Sequence, residues 1–398
     1  MNSKIERQIK NYYAYLVFME LSMVSIIMTL YLEYVGFSLY EVGVLLGVLQ
    51  IGKTLLEIPT GFVADRFGNR VSLILAIVIE ICAYALLIIL RSFSAMIAVM
   101  ILLAISYTLT TGCASSIVTN SLIAAGEQER LTRVNAVSRV LYYCCYGLTA
   151  VGAGFLSEIS YELVIVLSIA SLMLALLTVW LMQEDRGEIE ANGDLYNPLK
   201  VAKYILGNRM VFYYALIEAA TAWAMVPIDN FYNNYLNSYF GIPLHLVGVV
   251  IAVQFLFTSL FGLYSTRLAL RFKEGLIVRI GPIASLALFF LFSLCHNPIA
   301  ALVFYFAGLA VFCLTTPVRT KLLQVNVSSA YRVTVTSFNS ILISLLSSVS
   351  QPLFGWVSGV VDMRQAMSLL LIISIVVVTV VNLMFSNRAL GLKVKAGS

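Results

Sequence analysis

Twelve long apolar stretches, separated by short polar breaks, constrain this chain more than any other feature. Lipid offers a backbone amide no partner, so a crossing segment must satisfy its hydrogen bonds within a helix or a closed barrel. About 20 apolar residues cross the hydrocarbon as a helix. The stretches here are continuous rather than alternating, which argues against a barrel. They fall at 12–34, 41–62, 71–91, 95–120, 134–157, 161–182, 211–239, 245–267, 276–295, 299–321, 334–358 and 366–386. Hydrophobic residues make up 61% and charged residues 11%, far from the balance of a soluble domain. Lys4, Arg7 and Lys10 precede a full-length first span with no small-residue cleavage site, which reads as a retained helix.

The net charge is +5, but its distribution points to a membrane rather than to nucleic acid. About 21 of the 25 Lys and Arg fall in segments on one side. Arg91 and Arg364 fall on the other, and Lys53 and Arg139 lie within spans. By the positive-inside rule both termini are cytoplasmic. The six cysteines are scattered through apolar segments without metal-ligand or disulfide spacing, and read as small packing residues.

The long polar break at 183–200 follows six spans and precedes six. It predicts an N-terminal six-helix bundle over 1–183, a cytoplasmic linker over 184–210, and a C-terminal six-helix bundle with a short tail over 211–398. Within the linker, Pro198–Met210 mixes basic and apolar residues as an amphipathic helix on the inner membrane surface does. The halves echo each other at an offset of 205: Gly36–Gly43 aligns with Gly241–Gly248, Tyr34 with Tyr239 and Gly61 with Thr266. Such internal repeats are common in transporter folds.

Between the second and third spans the chain reads Gly61-Phe62-Val63-Ala64-Asp65-Arg66-Phe67-Gly68-Asn69-Arg70, preceded by Glu57-Ile58-Pro59-Thr60. This G-x-x-x-D-R-x-G-x-R loop resembles the signature of the major facilitator superfamily of secondary transporters, in the EIPTG version carried by many bacterial efflux permeases. The resemblance implies an all-α membrane protein of twelve transmembrane helices in two pseudo-symmetric bundles that rock about a central site. It also implies an inner gate made by Gly61, Asp65, Arg66, Gly68 and Arg70. Asp65 would reach the start of the eleventh span, where a helix N-terminus stabilises its charge. Gly61 would permit close approach and Gly68 a tight turn. The second-half loop has Leu270 where Asp65 would fall, so the signature belongs to the first half. Two features depart from drug/proton antiporters of the superfamily: no arginine lies in the fourth span, and Gly147, Gly152 and Gly154 remain of the fifth-span glycine-proline motif without its proline. Related permeases often end the fourth span with aspartate, where Asn120 stands here.

Ionisable groups inside spans mark pathways or partners. Glu20, Lys53, Glu57, Glu80, Arg139, Glu218 and Asp229 are such groups. At 1.5 Å per residue, Glu20 and Lys53 lie at similar depth, and Glu57 is one turn from Lys53. Lys53 then has two acidic candidates: the set is either a structural ion pair or a proton-released one. Glu80, on a span that packs peripherally in the superfamily, reads as structural, and Arg139 as snorkelling to the inner surface. In the seventh span Pro227 kinks the helix, and Asp229, Asn230, Asn233, Asn234 and Asn237 follow it. The half-repeat sets Asp229 opposite Val24, well inside the first span. A carboxyl there, or at Glu218, suits proton coupling.

Tyr13, Glu20 and Tyr31 share one face of a continuous first span, and Tyr142, Tyr143 and Tyr146 cluster on the fifth. The fourth adds Tyr107 and a run of hydroxyl residues. This suits a bulky amphipathic organic molecule, with a cationic group matching the acidic side chains. Interfacial belts and helix packing use the same residue types. His245 and His296 do not form a metal pair, and no phosphate-binding glycine loop is present. The expectation is therefore a monomeric secondary active transporter of a bacterial cytoplasmic membrane, not an enzyme, without cofactor. It would export a small organic compound at the expense of the proton gradient, with Glu20, Glu218 and Asp229 binding protons or substrate. Import by symport or facilitated diffusion, lipid-headgroup flipping and a transport-silent sensor are the alternatives.

Overall fold

The computed structural model describes residues 2–184, 207–271, 274–327 and 332–385. These residues form helices and no strand: α1 Asn2–Glu20, α2 Val24–Val35, α3 Leu39–Phe67, α4 Asn69–Ile89, α5 Phe93–Thr110, α6 Cys113–Ala124, α7 Leu131–Ile159 and α8 Tyr161–Leu181, then α9 Arg209–Asn234, α10 Leu244–Arg271, α11 Glu274–Leu294, α12 Pro298–Asn326, α13 Arg332–Val360 and α14 Met363–Met384. Among the described residues, twelve segments are long and apolar enough to cross a membrane.

Local sequence sets most of the ends. Gly36 closes α2 at φ 108°, a conformation that costs only glycine nothing. Ser38 and Glu41 open α3 with a reciprocal capping box. Ser160, Asn208, Asn297 and Asp362 each cap the helix that follows with a side-chain oxygen.

Two spans that read as continuous are broken. The first stops at Glu20 and resumes at Val24. The backbone freed there is caught by α8: Met23 N–H donates to Ser168 Oγ at 2.9 Å, and Ser171 Oγ donates to Phe18 O at 2.6 Å. The cause is tertiary, because the local sequence holds neither Pro nor Gly. Losing the Ser168 hydroxyl leaves a buried donor unsatisfied, which costs about 1–3 kcal/mol. Ser168→Ala is therefore expected to melt earlier in detergent; an unchanged melting temperature would mean that water replaces the hydroxyl. The fourth span breaks between α5 and α6 at Gly112, with φ 75°. Here the cause is local. Thr108, Thr110, Thr111, Cys113, Ser115 and Ser116 all bond to carbonyls three or four residues back, a pattern that bends helices.

The chain divides into two compact units: residues 1–191 with 242–255, and residues 192–241 with 256–398. In the first unit α3 and α4 pack on α5, while α1 and α4 pack on α8. Its ends on one side are tied by Gln8 to the Gln183 carbonyl at 2.7 Å, and by Glu184, whose carboxylate accepts the Asn69 and Arg70 amides at 2.6 and 3.2 Å. Glu184, part of the polar break in sequence, thus sits on the start of α4, where negative charge is favoured. In the second unit α11 packs on α12 and α14, and α9 on α13 and α14. Arg279 of α11 donates to the Asn382 carbonyl at 3.1 Å and to that of Phe385, and Tyr213 donates to Asn382 at 2.7 Å. The linker segment 185–206, which contains most of the expected amphipathic helix, lies outside the described residues.

Candidate functional site

A layer of polar groups crosses the first unit beside the α1–α2 break. Glu80, 3% exposed on α4, accepts hydrogen bonds from Tyr84 at 2.9 Å and Ser106 at 3.1 Å. Ser22, within the break, donates to the Tyr84 hydroxyl at 3.5 Å. The Glu80 carboxyl is thus satisfied inside the bundle, which fits a structural role. Next to Ser106 on α5, Tyr107 interacts with the Tyr84 hydroxyl, and its ring lies 4.5 Å below the Lys53 ammonium.

Lys53 departs from expectation. Among the described residues neither Lys53, Glu20 nor Glu57 takes part in an ion pair. The reason is packing: α3 lies against α5, whereas α1 lies against α8, α7 and α6. Similar depth therefore does not bring Glu20 to Lys53. Gly52 draws α3 close to α5, since a Cβ on it would stand 2.8 Å from that of Ala104. Glu57, one turn from Lys53, is exposed. A desolvated cation–π contact is worth roughly 2 kcal/mol, less than the several kcal/mol it costs to remove an ammonium from water. Lys53 is half-buried, so that cost is reduced but not offset.

Glu20 ends α1, half-buried and without hydrogen bond or ion pair among the described residues. Tyr142 and Cys145 of α7 lie within its electrostatic range. One turn of α7 carries the tyrosine cluster: ring centres of Tyr142 and Tyr146 are 6.0 Å apart, and those of Tyr142 and Tyr143 5.3 Å. Tyr146 also packs on Phe255 at 4.1 Å and is an electrostatic neighbour of Tyr107. Tyr31 does not join this surface. The helix break interrupts the face it was to share with Glu20, and it is fully buried, donating to the Leu87 carbonyl at 3.0 Å and accepting from Arg91 at 3.3 Å.

Further along α7 the glycines have a packing purpose. A Cβ on Gly154 would stand 2.5 Å from the Leu244 carbonyl oxygen, and one on Gly248 would meet the Ala150 carbonyl still closer. Gly147 faces Ala252 at 3.9 Å, whereas Gly152 faces only the Met23 side chain. Small residues at four-residue spacing thus let α7 meet residues 244–252 backbone to backbone. Beyond them, His245 Nδ1 pairs with Glu158 at 2.7 Å.

In the second unit the charged pair is one that sequence reading missed. Arg319 of α12 is 1% exposed and lies 3.3 Å from Glu218 of α9, itself 21% exposed. Arg319 also donates to Thr316 Oγ1 at 2.9 Å, while its Nε has no hydrogen-bond partner. Only two positions from Lys321, Arg319 reads in sequence as another inner-edge charge. Further along α9, Pro227 is buried and Asp229 exposed, within electrostatic range of Tyr232 and Tyr305. Asn230 donates to Gln351 of α13 at 2.8 Å, Asn233 is half-buried, and Asn234 is fully buried. Asn230 thus ties α9 to α13. A single π turn, Tyr235–Tyr239, follows.

In the signature loop, Gly68 takes φ 97° between α3 and α4, which meets the expectation of a glycine-only turn. Gly61 does not: a Cβ there would meet nothing within 4 Å. Arg70 donates to the Trp180 carbonyl and Arg66 lies over its neighbour Phe67 at 5.6 Å. Asp65 is exposed.

The sequence model of the Major Facilitator Superfamily matches residues 14–350. The chain belongs to the major facilitator superfamily. The family is one of transporters, so this multi-pass protein is a secondary transporter of the major facilitator fold. Among similar proteins is the "Uncharacterized MFS-type transporter YxaM" of Bacillus subtilis (strain 168), 23% identical over 369 residues that cover 90% of this chain and 91% of that one. The crystal structure of the nucleoside transporter NupG matches with a TM-score of 0.77 at 14% identity, over 96% of this chain and 99% of that one. A D-xylose-proton symporter matches with a TM-score of 0.69 at 12% identity, over 95% and 96% of the two chains. At these identities the solved structures carry the superfamily fold alone. Among the described residues no group of three His, Cys, Asp or Glu is placed to hold a metal ion.

Proposed function

We propose that this transporter couples the outward movement of a small amphipathic organic compound to inward proton movement, by alternating access. The observation that carries the reading is Glu20: a half-buried carboxyl at a helix break inside a span, with no counter-charge among the described residues. A carboxyl locked to an arginine keeps its charge through a cycle, whereas one without a partner is able to exchange its proton as its surroundings change. By the same argument Glu218, beside Arg319, serves as a counter-charge. Asp229 is the second proton-exchange candidate as an ionisable group within the seventh span. Asp65, Arg66, Gly68 and Arg70 belong to the inner gate. The proton gradient is the energy source, and the protein works as a monomer in a bacterial cytoplasmic membrane with both termini inside.

The test is proton movement in sealed proteoliposomes under an imposed pH gradient, with amphipathic compounds screened against wild type, Glu20→Gln and Asp229→Asn. Compound-dependent proton flux should fall at least about tenfold in Glu20→Gln, the effect of about 1.4 kcal/mol on the coupled step. Flux lost in Asp229→Asn and kept in Glu20→Gln would move coupling to the seventh span. Compound movement without protons would overturn the coupled reading. Structural likeness to a D-xylose-proton symporter makes symport the second reading; compound accumulating along the proton gradient rather than against it would favour that direction.

A further inference from the structure

In the first unit, where α8 stops, a cleft of about 410 Å³ opens between α1, α6 and α8. Lys4, Arg7, Gln8 and Asn11 line it at the spacing of a single helix face. Gln8, 6% exposed, is fixed there from both ends of its amide. Its nitrogen donates to the Gln183 carbonyl at 2.7 Å, and its oxygen accepts the Gln183 N–H at 3.1 Å. Asn11 donates to the Leu181 carbonyl at 3.2 Å. Ser121 of α6, 3% exposed, also lines the cleft; its hydroxyl accepts from Gln8 at 3.5 Å and donates to no group among the described residues. The fold leaves both cations over. Glu6, the first acid of α1, is held by Arg130 at 2.6 Å, and Glu184, next to Gln183, accepts the Asn69 and Arg70 amides. Lys4 and Arg7 are exposed and form no ion pair or hydrogen bond among the described residues. Like charges one turn apart on a helix repel, so an anion between them is favoured.

The depth of the cleft selects among anions. α8 is a membrane-crossing segment that ends at Leu181, itself a wall of the cleft. Trp180 is 65% exposed beside it, as tryptophans are at the level of lipid headgroups. Leu174, Leu177 and Leu181 are exposed on one face of α8 and lead from the cleft into the hydrocarbon. A soluble phosphate has no use for that apolar track; an acyl chain does. We infer that the cleft binds the phosphate headgroup of an anionic glycerophospholipid. Lys4 and Arg7 meet the phosphate, the Ser121 hydroxyl donates to a headgroup oxygen, and an acyl chain lies along the exposed leucines of α8. Basic pockets between membrane helices take such headgroups. The bound lipid joins α1 to α8 at the membrane surface, at the opposite end of α1 from Glu20, and does not depend on what the protein transports.

The experiment uses the purified full chain in detergent with phosphatidylglycerol, phosphatidylcholine or inorganic phosphate added. Native mass spectrometry counts the lipid retained, and thermal melting reads its effect on stability. Wild type should retain phosphatidylglycerol in preference to phosphatidylcholine, whose choline cancels the phosphate charge, and should melt later with it. Lys4→Gln/Arg7→Gln should bind phosphatidylglycerol about thirtyfold more weakly and lose the gain in melting temperature. Lys10→Gln/Arg133→Gln removes the same charge from exposed positions that do not line the cleft, and should behave as wild type. Equal losses in the two double variants would mean a diffuse basic surface and overturn the inference. Wild type that holds the two lipids equally well overturns it too, as does inorganic phosphate that stabilises as much as the lipid. A Lys4→Gln/Arg7→Gln protein that already melts earlier in phosphatidylcholine would make the two cations structural, with the same result.

Discussion

Arg319→Leu is expected to destabilise the protein by about 3–5 kcal/mol, because it leaves the Glu218 carboxylate inside the bundle without its counter-charge. Arg319 is 1% exposed and 3.3 Å from Glu218, itself 21% exposed, so solvent replaces only part of the lost counter-charge. The double variant Arg319→Leu/Glu218→Leu should recover most of the loss, since two apolar side chains that pack carry no desolvation cost. Glu218→Gln alone leaves a buried guanidinium unmatched and should fall between the two. Denaturant or thermal melting of the purified protein measures all three. A single variant as stable as wild type would mean that the ion pair does not join α9 to α12, and Glu218 would return to the list of exchangeable carboxyls.

The second large effect is expected at Gly248. A Cβ there runs into the Ala150 carbonyl, and the reciprocal one at Gly154 stands 2.5 Å from the Leu244 carbonyl. Both obstacles are backbone, so no side chain can rotate away, and the helices themselves must separate. Gly248→Leu should therefore cost about 3 kcal/mol, the upper end of overpacking, and abolish transport. Gly152→Leu is the matched control. Its nearest neighbour is the end of the Met23 side chain at 3.9 Å, which is flexible and able to yield. Equal damage from the two variants would show that the backbone contact is not what these glycines are for.

The comparison of these glycines shows what a sequence discloses. The spans and the glycine-only turn at Gly68 follow from local pattern and were legible in it. Gly147, Gly152 and Gly154 stood out as a residue of a family motif, but which of them meets another backbone depends on where α10 lies. The break at Gly112 had a local cause in its hydroxyl-rich run and was still read through, because hydropathy does not see side-chain bonds to carbonyls. The break after Glu20 had no local cause at all. The Lys53–Glu20 pairing failed because equal depth does not specify which helices are neighbours, and α3 turns Lys53 toward α5. Arg319 escaped notice beside Lys321, since two basic residues near a span end look alike until one of them is found buried.

The two serines that hold the first span open have a consequence for how the protein is made. At 12 residues, α2 is only about 18 Å long, well short of the ~30 Å hydrocarbon layer. It cannot be threaded into lipid by itself, so Lys4–Val35 has to enter the bilayer as one hydrophobic segment. Ser168 lies 145 positions downstream of Met23, and at roughly 5–20 residues per second the ribosome needs on the order of 10 s to reach it. The nascent chain therefore passes its early life with an uninterrupted first helix. The kink that bares Glu20 is acquired late, when the sixth span leaves the insertion machinery and docks. A chain arrested before α8 would carry the acid but not the site.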